Sequence, residues 1–381
     1  WRGLLKMPIF MKHSQRRKRK MRLYRMELYK LYHNKIFRIG LFAATALLLA
    51  YFWFAEVGGE IAAVDGSVYS GYEAVKMNKK ITKEFEGELT DEKVHQIVEK
   101  YGLPSKLEEN MPGWRDGNFL NDFVTRYFTN GAWENGITPT ERYMIAETEL
   151  GENCEKLGIT PYLTYTTGWK IFVEMLQFGL ILGSILVICS VSTIFAEESQ
   201  TKMLPLIFST EEGRRKDVMA KIAAALTFTI SIFLWFAVIN LALCQVVYGL
   251  NGFNNIAGLV LSESIRHQSV MFSKYLAVLL MLALEALLSL CAITLCVSAH
   301  QNSSFGAVII SAACWGLPVI IRIFFGGFMA LIVDAMPVFL IMTNMVKDIY
   351  NIWQPVFAIN IILAAAFLAE GTIAYKNRQI A

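Results

Sequence analysis

The sequence is short of charge, and that shortage excludes most soluble folds. Only 18% of its 381 residues are Asp, Glu, Lys or Arg, against roughly a quarter in soluble globular domains. Mean hydropathy is +0.41. A soluble core does not absorb apolar runs of about 20 residues, so a bilayer is the expected solvent. Catalytic signatures are missing as well. There is no GxxxxGK[ST] phosphate loop, no GxGxxG turn, no nucleophile motif and no paired-carboxylate pattern. No enzyme active site, and no ATP site of the usual kind, is expected on this chain. The five histidines are scattered, without an HExxH pair or a Cys/His cluster; neither a metal site nor a cofactor is expected. Of six cysteines, Cys189, Cys244, Cys291, Cys296 and Cys314 fall in apolar runs, and Cys154 stands alone in a polar region. No disulfide can staple that region internally, and all six read as small buried hydrophobes.

What is present is a sharp segregation of charge. The net charge is only +4, yet residues 1–35 carry the run Lys12, Arg16, Arg17, Lys18, Arg19, Lys20, Arg22 and Arg25, with Glu27 as the only acid. Leu23, Met26, Leu28, Leu31 and Tyr32 predict an amphipathic helix over about 21–37, its apolar face sunk in the membrane interface and its basic groups on lipid phosphates. Membrane lipid is thus an expected partner. Nucleic acid is not, because the adjacent span already accounts for the charge.

The first span is expected at 36–56, an anchor without a cleavage site, with Tyr51, Phe52, Trp53 and Phe54 as an aromatic belt at the far interface. A polar insert follows at 57–167, rich in acids such as Glu84, Glu86, Glu88, Asp91, Glu92, Glu147 and Glu149. It is long enough to fold as a small domain and reads as mostly helical. Thr90-Asp91-Glu92-Lys93 opens a helix through Lys100 that Gly102 and Pro104 end. Five more spans are expected within 168–381: Gly168–Phe195, Ile222–Tyr248, Lys274–Ala299, Phe305–Phe325 and Pro355–Tyr375. Between the last two, Gly326–Gln354 is apolar but broken by Asp334, Pro337, Asn344, Lys347 and Asp348, which predicts a re-entrant or interfacial piece. Six crossings put every basic cluster on one side and the acidic insert on the other. The expected fold is therefore an all-α integral membrane protein with six transmembrane helices, an N-terminal interfacial helix, an extracellular insert and cytoplasmic termini.

Two ionisable residues fall inside spans. Glu285 sits near the middle of the fourth, where a carboxylate costs about 2.5–3.5 kcal/mol on insertion scales; it reads as a functional site or as a structural partner for a neighbouring helix. Arg322, in the fifth, either snorkels outward or reaches toward Glu285.

The most informative segment lies between the second and third spans, at 196–221. Glu197 and Glu198 leave the membrane. Met203, Leu204, Leu206 and Ile207 suit the apolar face of a short helix, Ser209 and Thr210 cap the next turn, Gly213 loosens the corner, and Arg214, Arg215, Lys216 and Lys221 lead back into the membrane. The stretch Phe195–Lys221 resembles the first cytoplasmic loop of permeases of bacterial ATP-binding-cassette exporters of the type-two export class. Glu197 or Glu198 matches the acid at the exit of the second span, Leu204-Pro205-Leu206-Ile207 with Ser209-Thr210 the short helix and turn, and Lys221 the lysine opening the third span. The basic interfacial helix, external insert, six spans and broken stretch before the last extend the likeness. Pro205 inside the short helix and the long insert depart from it. The resemblance implies a permease subunit in a bacterial plasma membrane, paired with itself or a similar permease. It also implies a separate ATP-binding-cassette ATPase acting on Glu197, Glu198, Leu204, Leu206, Ser209, Thr210, Gly213, Arg214 and Arg215. Two other classes stay open: an ion-coupled transporter or channel using Glu285, and a sensor or scaffold whose insert binds a ligand.

Overall fold

The computed structural model describes residues 9–102, 117–129, 144–209, 216–261, 269–324, 330–343 and 346–378, with side chains from residue 21 onward except at 330 and 331. Six helices there are long and apolar enough to cross a membrane: Lys35–Val57, Thr167–Gln200, Lys216–Val247, Phe272–His300, Ser304–Phe324 and Val346–Lys376. They coincide with the six apolar runs, and the fold is that of a multi-pass helical membrane protein. Several helices run past the expected ends because Glu, Gln, Lys and Arg continue a helix as readily as Leu. The N-terminal helix, Ile9–His33, likewise begins earlier and ends sooner than the apolar pattern predicts. Asn34 ends it and caps the first span: its side-chain oxygen accepts from the Ile36 amide at 2.9 Å and its carbonyl from Arg38 at 3.1 Å.

The chain divides into two compact units. The first comprises Trp1–Thr45, Gly179–Phe236 and Met281–Ala381. Helices pack closely here where glycine allows it. A Cβ on Gly40 would meet Leu186 at 2.8 Å, one on Gly183 would meet Ile232 at 3.1 Å, and one on Gly371 would meet the Cys296 backbone at 2.8 Å. The N-terminal helix and the first span lie along the third span, through Tyr24–Thr227, Tyr32–Ser231 and Trp235–Thr45 hydrogen bonds of 3.1, 2.6 and 3.1 Å. The broken stretch before the last span folds as the short helices Ala330–Asp334 and Pro337–Ile341, and the short helix Val346–Ile349 opens the last span. Val333, Val338 and Phe339 bury against Trp315 and Val319 of the fifth span.

The second unit comprises Ala46–Phe178 and Ala237–Leu280. Its polar part holds the helices Tyr72–Phe85, Asp91–Tyr101, Phe119–Phe128 and Glu149–Leu157. Val75, Ile81, Val94, Ile97, Leu120, Val124 and Leu150 are buried there. The helix at Asp91 starts where expected, with Thr90 accepting from the Lys93 amide and Gly102 ending it at φ 65°. Two small antiparallel pairs add to the expected helices. Ile61–Val64 pairs with Ser67–Ser70, and Gly87–Glu88 with Tyr162–Leu163. Asp65 and Gly66, both at positive φ (52° and 74°), make the first turn; an Asp-Gly pair between strands favours that two-residue geometry. Cys154 is buried, 4% exposed.

Candidate functional site

The second span is not one continuous ladder. Its helix runs Thr167–Val191, pauses at Ser192 and resumes over Thr193–Gln200. A side chain from the fourth span repairs the break. The Ser298 hydroxyl donates to the Ser192 carbonyl at 2.7 Å and accepts from the Phe195 and Ala196 amides, both at 3.1 Å. Such an insertion is a recognised cause of a helix kink, and Ser298 is itself fully buried.

The resumed segment carries Glu197 and Glu198, and successive helical positions face different ways. Glu197 is exposed. Glu198 turns inward and uses both carboxylate oxygens. One lies 2.7 Å from the Lys221 ammonium, and the other accepts from the Tyr375 hydroxyl at 2.5 Å. Lys221 is 1% exposed and also pairs with Asp217, one turn earlier on its own helix. Lys221, matched by the resemblance to the lysine that opens the third span, is the centre of a buried triad. Carboxylates at hydrogen-bond range offset the cost of burying a charged lysine.

Arg378, just past the last span, extends the network. It donates to the Ser199 hydroxyl, to the Gln301 carbonyl at 2.6 Å and to the Asn302 side chain at 2.9 Å. Gln200 accepts from the Ser304 amide at 3.1 Å, capping the fifth span. Phe195 and Phe208 both pack on the Tyr375 ring, with centroids 4.5 and 5.3 Å away. The ends of spans two, three, four, five and six therefore meet in one polar knot.

The short helix of the loop is Leu204–Phe208, with Pro205 in its first turn. Proline lacks an amide that position does not need, so Pro205 starts the helix instead of breaking it. Leu204 is partly buried, whereas Leu206 is 63% and Met203 46% exposed. Ser209 closes this helix, its hydroxyl donating to the Leu206 carbonyl at 2.7 Å. Its expected role in capping a following turn, along with Thr210, Gly213, Arg214 and Arg215, concerns residues 210–215, outside the described residues.

The two intramembrane candidates do not meet. Glu285 is 5% exposed and accepts from Ser289 at 2.5 Å, one turn on, while its other oxygen has no partner among the described residues. Arg322 instead pairs with Asp334 at 2.8 Å, and Asp334 is itself buried. Asp334 reads from sequence only as an interruption of an apolar run. Its value as a partner follows from the chain turning back on the fifth span.

No protein-family model, characterised protein or solved structure matches the chain.

Proposed function

We propose that this chain is the permease subunit of an ATP-driven exporter, powered by a separate ATPase that bears on the loop between its second and third spans. The observation that carries this reading is the contrast within that loop. Glu198 and Lys221 are tied into the ends of the spans, while Glu197, Met203 and Leu206 are left outward. An exposed acid beside exposed apolar side chains is what a soluble partner can grip. A knot joining five spans is what carries its push to the helices. Motion of this kind needs different contacts in two states, and the ATPase cycle would supply them.

In this reading the loop and both termini are cytoplasmic and residues 57–167 external, as the charge asymmetry favours. The basic N-terminal helix rests on anionic lipid, Gly326–Gln354 re-enters the bilayer, and a second permease completes the path. The membrane is the plasma membrane of a bacterium. The test is isolation of the tagged full chain from its source cells under mild detergent. Co-isolation of a protein with a GxxxxGK[ST] loop, in fixed ratio, supports the reading; a folded chain isolated alone contradicts it. Ion-coupled transport is the second reading, and it rests on the unpartnered buried oxygen of Glu285. Uptake driven by a proton gradient without ATP would favour it.

A further inference from the structure

The second compact unit holds a polar cluster that the coupling reading does not use. Glu56 and Glu174 lie on the first and second spans, Glu60 just beyond the first, and Asp122 on the helix Phe119–Phe128. Lys170 is the cation whose field reaches all four, and Arg126 adds to it at Asp122. Four carboxylates against two cations leave an excess of two negative charges when all are ionised. Among the described residues no three acids, histidines or cysteines converge as metal ligands, so the carboxylates are spread more widely than a metal needs.

A second feature points into the same place. Tyr248 is fully buried and its hydroxyl has no hydrogen-bond partner among the described residues. Buried hydroxyls normally find one. The ionisable groups whose charge acts on it are Glu60, Tyr165, Glu56 and Cys244. Phe52 packs edge-on to the Tyr248 ring at 6.1 Å and Phe119 to Tyr165 at 5.0 Å. Carboxylates spread among aromatic rings, with a hydroxyl oxygen free to accept, suit a cation larger than a metal that brings N–H donors of its own.

We propose that Glu56, Glu60, Asp122 and Glu174, with the Tyr248 hydroxyl, form a binding site for an organic ammonium ion, best matched in charge by a diamine. The protonation of the cluster agrees. Burial pushes Glu60 up to about 7, helped by Glu56, Asp122 and Glu174 and opposed by Lys170. Burial pushes Asp122 up to about 6, opposed by Arg126 and Lys170. Without a cation Glu60 is about half protonated at neutrality, and Asp122 takes up its proton nearer pH 6. A bound diamine would expel these protons, so its affinity rises with pH through this window.

The site stands or falls independently of any ATPase. Cadaverine binding to the purified full chain in detergent, followed by calorimetry, tests it. Saturable binding is expected at about pH 8, weakening by about tenfold at about pH 6 as Glu60 takes up its proton. Glu60→Gln and Glu174→Gln are each expected to weaken it by about tenfold with an unfolding temperature no lower than that of the wild type. Choline, which carries charge but no N–H, is expected to bind at least about tenfold more weakly. Absence of saturable cadaverine binding at the higher pH overturns the proposal. So does binding that both Gln variants leave intact, or equal binding of choline.

Discussion

Lys221 and Tyr248 are both almost fully buried polar residues, one in each unit, and their surroundings are opposite. Lys221 has Glu198 at 2.7 Å and Asp217 beside it, and Glu198 in turn holds Tyr375. Tyr248 has no hydrogen-bond partner among the described residues and is acted on by acids that outnumber their cations. A polar cluster whose cation sits between carboxylates at hydrogen-bond range, and whose hydroxyl finds an acceptor, has little left to offer a ligand. It fixes helices relative to one another. A cluster with an idle hydroxyl is completed by something that arrives. The first arrangement suits a joint and the second a receptor.

The comparison is broken most directly at Lys221. Lys221→Met leaves Glu198 and Asp217 buried without their cation and is expected to destabilise the chain by about 3–5 kcal/mol, seen as a large fall in unfolding temperature in detergent. An unfolding temperature close to wild type would show that the triad is not a structural joint. A sharper contrast comes from two identical substitutions. Tyr375→Phe removes a donor to a charged acceptor and is expected to cost about 1.5–3 kcal/mol. Tyr248→Phe removes a hydroxyl with no partner and is expected to be neutral or slightly stabilising without ligand. Equal costs for the two would erase the difference between the clusters.

The pH dependence of stability separates them next. Glu60 and Asp122 are raised in the folded chain, to about 7 and about 6 from ordinary values of 4.5 and 3.8. The folded state therefore binds more protons than the unfolded one between those limits. Their contribution to stability is gained as pH falls from about 7 toward 4.5 and is lost as it rises again. Unfolding of the wild type against Glu60→Gln over this range checks the sign; the variant is expected to show the flatter profile. The smallest expected effect is at Glu285. With one oxygen on Ser289 of its own helix, it reads as a structural residue. Glu285→Gln is expected to be nearly silent and Glu285→Leu to cost about 1 kcal/mol through the lost hydrogen bond. Loss of transport in Glu285→Gln, with assembly intact, would move the residue into the substrate path.

The six spans were legible because apolar length is a property of sequence alone, and the helix at Asp91 because its cap residues are local. The Asp-Gly turn between Val64 and Ser67 was equally local, and it adds a strand pair to an insert read as helical. Partners were not legible. Glu198 and Glu197 are adjacent and chemically identical, and only the phase of the helix turns one toward Lys221. Ser298 reads as a small residue in an apolar run, and nothing in its neighbourhood announces that it fills a gap at Ser192. Arg322 and Asp334 are separated by the chain reversal that joins them. The same limit touches topology mapping. Cys154 is buried, so thiol labelling of the insert needs an introduced cysteine at an exposed position such as Glu88 or Glu92. External labelling there, without permeabilisation, is the outcome the proposed orientation predicts.

The central claim is that the outward face of the loop receives an ATPase while its inward face holds the helices. ATP hydrolysis retained by the purified chain, measured for wild type and for Leu206→Asp, tests it most directly. Leu206 is 63% exposed, so the substitution is expected to leave stability within about 0.5 kcal/mol of wild type. The account predicts ATPase activity retained by the wild type and lost from Leu206→Asp at that unchanged stability. Equal activity in both, or none in either, would contradict it.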